Sequence, residues 1–194
     1  RNESLLGLND DADNKMFIRY MPSLNGWFIN KEDEVNLKHF LLDVGSIKTG
    51  WGKIALGESP VWVWDDAIGH RALRPGESEE ERQAYKRGFS VDMFIKDEGM
   101  RTWSTTTTGS NIGFEKLYTE LHAQMGANSG KYAVIEYTGS EAIKVGKGNT
   151  RVPGFKLLKW VESDEFETNQ PNGVFEEPVV APVIQEMKSE EIPF

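Results

Sequence analysis

The chain has no cysteine in its 194 residues. Disulfides and thiolate metal sites are therefore excluded, and a reducing compartment such as the cytoplasm is the expected location. Histidine is scarce: His39, His70 and His122 sit far apart in unrelated patterns, with no metal-ligand spacing. No apolar run approaches the roughly 20 residues of a membrane span. No secretory signal opens the chain, and its start at Arg1 rather than Met is what loss of an initiator or a short leader would leave. Catalytic signatures are missing as well. Gly146-Lys147-Gly148-Asn149-Thr150 fails the phosphate-loop pattern because Gly148 follows the lysine. Asp65-Asp66 and Glu79-Glu80-Glu81 could hold a divalent ion, but charge runs of this kind are mostly solvated. No enzyme activity, cofactor or metal is expected.

Positive charge is also in deficit, 22 basic residues against 31 acidic, for a net of -9. That total argues against a polyanionic partner only until it is mapped. Residues 162 to 194 carry nine acids and one base, Lys188, a net of -8, which leaves -1 for everything before them. Residues 38 to 161 hold 17 basic and 15 acidic residues. The acidity is thus a property of the tail, as in interaction tails, and the body is close to neutral.

Hydrophobic spacing divides the chain into three parts: an extension over residues 1–37, a domain over 38–162, and an acidic, Pro-punctuated segment over 163–194 expected to be disordered. In the extension an Asp-rich lead precedes two short strands, Met16–Tyr20 and Gly26–Ile29. In the domain, an extended stretch begins at Phe40 and is interrupted by Gly45, Gly50 and Gly52, as barrel corners require. Pro60–Trp64 reads as a strand with valines and tryptophans on opposite faces, and residues 65–87 as a long loop with one helical turn. Phe89–Lys96 and Met100–Thr106 form the clearest hairpin. With Glu98-Gly99 as a two-residue turn, Phe94 would face Trp103 and Lys96 would face Arg101, on the side away from the core. Apolar spacing over Asn111–Met125 predicts a helix stopped by Gly126. A strand over Tyr132–Thr138, a Gly-rich loop or hairpin over Gly139–Pro153, and a last strand over Phe155–Val161 complete the domain. The order strand, strand-turn-strand, helix, strand, loop, strand matches the OB-fold, a five-stranded Greek-key barrel with a helix between its third and fourth strands. A mainly β protein is expected.

Six tryptophans lie in the body and none in the tail. Flat rings interleaved with cations are what single-stranded nucleic acid requires, since bases stack on the rings and phosphates pair with the cations. In an OB-fold the ligand crosses strands two and three between the loops joining strands one to two and four to five. The candidates on that plan are Phe94, Lys96, Arg101 and Trp103 on the hairpin, and Lys144, Lys147 and Arg151 in the late loop. Lys86 and Arg87 enter the hairpin, Lys48, Trp51 and Lys53 lie on the Gly-broken strand, and Trp62 and Trp64 follow it. Each tryptophan competes with a plain core role, which is commoner in β-rich domains.

The chain closes on Glu190-Glu191-Ile192-Pro193-Phe194. Pro193 fixes its own φ and biases Ile192 to an extended form, so the segment is partly ordered before binding. A basic pocket with an apolar floor would capture the ring and a terminal carboxylate. This end resembles that of bacterial and phage single-stranded DNA-binding proteins. With the charge split, the aromatic load and the strand order, the chain resembles a phage-type member of that group. The resemblance implies sequence-independent coating and protection of single-stranded DNA in replication, recombination and repair. It also implies recruitment of replication and repair enzymes through Glu190, Glu191, Ile192, Pro193 and Phe194, in the cytoplasm of a bacterial host and away from membranes. The chain departs from the housekeeping members: their opening strand is absent, and a Pro/Glu-rich linker replaces a Gly/Gln-rich one. Their tetramer and wrapping modes are not assumed, and self-association is left open. An adaptor that docks on a replication enzyme without binding DNA, or a metal-dependent nuclease, are the alternatives. Because the tail is anionic, it competes with DNA for the cationic face on this reading. Deleting residues 163–194 should tighten DNA binding at low salt, and an unchanged salt titration would remove the competition.

Overall fold

The protein is mainly β, a curled open sheet that forms a half-barrel around one long helix. The computed structural model describes residues 16–30, 32–55 and 57–162. The Asp-rich lead, the acidic segment and its closing residues Glu190, Glu191, Ile192, Pro193 and Phe194 lie outside the described residues. Two short strands, β1 (Phe17–Met21) and β2 (Gly26–Phe28), precede β3 (Glu34–Val35) and the long β4 (His39–Lys53). Then come β5 (Val61–Trp64), helix α1 (Glu79–Ala84), β6 (Lys86–Ile95) and β7 (Gly99–Thr105). Helix α2 (Thr108–Met125), β8 (Lys131–Val145) and β9 (Gly148–Glu162) complete the fold. No described helix is long and apolar enough to cross a membrane.

The sheet order is β3-β2-β1-β7-β6-β4-β8-β9, with β5 attached to β4. All pairings are antiparallel except β1 with β7. The strands β4, β6, β7 and β8 lie in the spatial order β8-β4-β6-β7, the fourth beside the first, which is a Greek key. Strand β4 is the hub. Its first half pairs with β8 and its second half with β5, while β6 runs along the other side of both halves. An irregularity between Asp43 and Lys48 bends it there, because five residues of β4 advance against two of β6.

The concave face carries the core. Phe40, Leu42, Phe89, Val91, Met93, Ile95, Trp103, Ala133 and Ile135 are closed off by Phe114, Leu117 and Leu121 of α2. Helix α2 lies hard against β9 because Gly109 and Gly113, four residues apart, present no side chain to the Arg151 and Pro153 carbonyls. Curling brings distant strands together inside: Phe155 of β9 meets Trp103 of β7 at 5.6 Å and Trp27 of β2 at 6.2 Å between ring centres. The indole N–H of Trp103 finds no hydrogen-bond acceptor among the described residues, and that of Trp27 has only the Tyr137 side chain near it. Both rings make edge-to-face contacts, which set a positive ring edge against a negative ring face. The N-terminal strands, expected as an extension to the domain, thus supply part of the half-barrel's interior through Ile18, Tyr20 and Trp27.

Candidate nucleic-acid interface

The β6–β7 hairpin forms where the sequence places it, but in another register. Ile95 pairs with Gly99, Phe94 with Met100, Met93 with Arg101 and Val91 with Trp103. The turn is Lys96-Asp97-Glu98, closed by a bond from the Glu98 N–H to the Ile95 carbonyl, with Asp97 at φ 73° and Gly99 at φ 78°. Asp tolerates the left-handed region better than most residues, so the turn begins before the expected Glu98-Gly99. Pair numbers now sum to 194 rather than 197, and an odd shift turns one strand over relative to the other. Trp103 falls into the core at 1% exposure, opposite Val91, and offers no ring to a ligand. Phe94 stays on the outer face but is covered in a cluster with Leu41 and Val134. Arg101 donates to the Glu98 carbonyl at 3.1 Å and pairs with its carboxylate at 3.6 Å, while Lys96 sits exposed in the turn. The proposed grouping of two aromatics and two cations on this hairpin does not form.

An aromatic platform is built elsewhere, on the outer face where β5 pairs with β4. Register sets Gly50 opposite Trp64 and Gly52 opposite Trp62. Both indoles lean over the bare glycines. A Cβ on Gly52 would stand 2.8 Å from the Trp62 ring, and one on Gly50 would stand 2.9 Å from the Trp64 Cα and 3.0 Å from its ring. With nothing to prop them up, the two rings stack on each other, 4.4 Å apart and within 4° of parallel, and both remain partly exposed. Lys48, two residues before Gly50 on the same face, holds its ammonium 4.8 Å from the Trp64 ring centre. Lys86 lies opposite Gly52 and is exposed. Lys48, Trp62, Trp64 and Lys86 are thus brought together.

The opposite face of the same strands is locked rather than open. Trp51 is 9% exposed and donates its indole N–H to the Ala72 carbonyl at 2.8 Å. Arg74 and Arg87 lie over its ring at 4.9 and 5.2 Å. Arg87 in turn forks onto Asp65, whose carboxylate also accepts from the Thr49 hydroxyl and the Ala72 N–H. Asp65 is therefore a structural acceptor fully engaged by its neighbours, not a free divalent ligand. Trp51 and Arg87 pin the segment after β5 to the sheet. Lys53, on this side, lies 5.6 Å from the Tyr85 ring centre. A groove of about 520 Å³ opens beside this network, lined among others by Asp65, Arg71, Arg87, Phe114 and Tyr118.

The remaining cations are dispersed. Lys144 and Lys147 are exposed near the tip of the β8–β9 hairpin, and Arg151 bonds to the Ser140 hydroxyl at 2.7 Å and to its carbonyl. Lys96 and Arg101 belong to the end of the sheet opposite Lys86, since Lys86 opens β6 while Lys96 follows its last residue and Arg101 pairs with Met93 near that end. The cations read from the sequence do not converge on one face. In the sequence Tyr85 has no assigned role, and Gly50 and Gly52 read as barrel corners rather than a seat for rings, although the Gly-x-Gly and Trp-x-Trp spacings could have shown that two such strands pair.

One row of the outer face is acidic. Asp43 and Asp92 stand opposite each other, the first accepting from the Gly45 N–H and the second from the Thr102 hydroxyl. Burial pushes the Asp43 carboxyl above its ordinary value, the Gly45 N–H draws it back, and the charge of Asp92 adds to the rise. A raised carboxyl gives its full stability only below the ordinary value of 3.8 and loses it as pH rises through the folded value. Asp43→Asn should therefore stabilise the protein near pH 7. The cross-strand pair suggests about 0.2–1 kcal/mol, up to about 3 °C in Tm, with the gain vanishing in acid. Thermal melts across pH test this, and an unchanged or lower Tm near pH 7 would contradict the repulsion.

No protein-family model, no curated protein and no solved structure matches the chain.

Proposed function

We propose that the chain binds single-stranded DNA without regard to sequence, on an OB-fold, and that the Trp62–Trp64 stack with Lys48 is the centre of the site. That stack, laid on Gly50 and Gly52, is the observation that carries the reading. Two parallel, partly exposed indoles with an ammonium alongside are costly to leave in water and suited to unstacked bases and their phosphates. A ring face accepts any base, so no sequence preference arises. The OB-fold reading is supported by the Greek-key order of β4, β6, β7 and β8, and by a helix between the third and fourth of the five strands. In those terms β5 and α1 fold within the connection between the first and second strands, one of the two loops such folds use for ligands.

On this reading Lys86 neutralises phosphate beside the platform, and Lys53 and Arg87 set its inner flank. Lys144 and Lys147 reach the strand from the β8–β9 hairpin. Trp103, Phe94 and Trp51 build the fold and do not touch the ligand. The segment Glu190–Phe194 recruits a replication or repair protein, and the protein acts in the cytoplasm. Titration with oligothymidylate at low salt, followed by tryptophan emission and anisotropy, tests the function. Emission should be quenched, and the affinity should fall steeply with added salt as counterions are released. Duplex of the same length should bind far more weakly. Absence of any binding would leave the closing segment as the working part, which is the adaptor reading. Shortening of the oligonucleotide on addition of Mg²⁺ would indicate a nuclease.

A further inference from the structure

The outer face continues from the platform across the sheet to a second aromatic on β1. Lys48 is opposite Ser90, Ser90 is opposite Ser104, and the two serine hydroxyls bond to each other at 2.8 Å. Strand β1 runs parallel to β7 with Phe17 beside Thr102 and Ile18 beside Trp103, so one step on in that register Arg19 lies beside Ser104. A row thus crosses β4, β6, β7 and β1 with a cation at each end and two hydroxyls between. Trp64 flanks the Lys48 end. Phe17, two residues before Arg19 and on the same face, flanks the other end and is 50% exposed. Half of its surface is thus left in water on the outer face of the sheet. Around it is a shallow cavity of about 490 Å³, whose lining includes Arg19, Phe28, Asn30 and Arg101. Arg101 is paired with Glu98 and the Asn30 amide donates to Asp33, so the Phe17 ring and the Arg19 guanidinium are the groups here for a base and its phosphate.

We propose that Phe17 and Arg19 form a second nucleotide-binding subsite, so that one single strand spans the outer face from the Trp62–Trp64 stack to β1. The inference rests on the single-strand-binding function proposed above. Four strand spacings of about 4.8 Å separate β5 from β1, so the subsites lie about 19 Å apart across the sheet. The hydroxyl row between them is neutral and presents no ring, which leaves the backbone of the strand free to cross. The neighbouring row, Asp43–Asp92–Thr102–Phe17, begins with two carboxylates that repel phosphate, so the phosphates follow the Lys48–Ser90–Ser104–Arg19 row and only the last base reaches over to Phe17.

Length dependence distinguishes one subsite from two. An oligothymidylate of about two nucleotides, too short to reach from one subsite to the other, and one of about twelve, within the range that a single OB-fold covers, are titrated against the full chain and against Phe17→Ala and Arg19→Gln. The long oligonucleotide should lose roughly 5- to 150-fold in affinity on Phe17→Ala, the loss of one stacked base, while the short one, held at the tryptophans, is unaffected. In Phe17→Trp, long-oligonucleotide affinity is retained and the quench grows, because a seventh indole now lies under the strand. Phe17 is half exposed, so unchanged Tm in the variants shows that folding is not the cause. If the wild type binds both lengths but Phe17→Ala leaves the long one untouched, or weakens both alike, the second subsite is wrong. If the wild type binds neither, the proposed function itself has failed.

Discussion

Trp64→Ala should weaken oligothymidylate binding by roughly 5- to 150-fold, the loss of about 1–3 kcal/mol of stacking on one base. The truncation acts twice. It removes the ring under Lys48 and leaves Trp62 without the partner 4.4 Å away that holds it flat. The effect should therefore exceed that of Lys48→Ala, which removes one phosphate contact and reduces the salt slope by about 0.7. Stability should change little, because Trp64 is partly exposed and lies on the outer face. Gly52→Ala provides an independent route to the same end, since its methyl group would push the Trp62 ring off the sheet. Equilibrium titrations at fixed salt supply the numbers. Wild-type affinity in Trp64→Ala would remove the platform from the site, whatever else binds.

Asp65→Ala should be the most destabilising single change at this end of the protein, by about 3 kcal/mol, the range for removing one partner of a buried ion pair. The Asp65 side chain is 1% exposed and takes four hydrogen bonds, from both Arg87 terminal nitrogens, Thr49 and the Ala72 N–H. Alanine leaves those donors without their acceptor and frees the guanidinium that lies over Trp51. The Arg87 guanidinium holds the Asp65 carboxyl well below its usual range, and the bonds from Ala72 and Thr49 lower it further against the effect of burial. A carboxyl depressed on folding contributes stability that is complete above its ordinary value of 3.8 and lost as pH falls below it. The wild type should thus lose stability from roughly pH 5 downward, and Asp65→Asn should lose less of it over that interval while being weaker at pH 7. Urea unfolding at several pH values checks both statements. Parallel curves for wild type and Asp65→Asn would show that the carboxylate is not linked to folding.

Much of this architecture was legible before folding. Alternation marked β1, β2, β5, β6 and β7, and the 3.6 spacing of Ile112, Phe114, Leu117 and Leu121 marked α2 up to its stop at Gly126. The site was less legible. Trp62 and Trp64 could be placed on one face of one strand, but their ring geometry depends on which strand lies opposite. Phe17 gave no signal, because an alternating Phe-Ile-Arg-Tyr looks the same whichever of its faces meets the core. Asp65 and Arg87 are 22 residues apart, and only a closed loop makes their pairing visible.

The sequence by itself determined most of the elements and their order, the concentration of the net negative charge in the tail, and the tryptophan-rich body, because these follow from local periodicity and composition. Tertiary structure decided which rings are free. A residue at positive φ in the Lys96-Asp97-Glu98 turn reversed one strand and buried Trp103, and the pairing of β5 on a glycine-bearing strand left Trp62 and Trp64 at the surface. Side chains alternate across a strand with a period of two, so a single-residue change in register exchanges core for surface. Register is set by turns and partners far along the chain, beyond the reach of any local pattern.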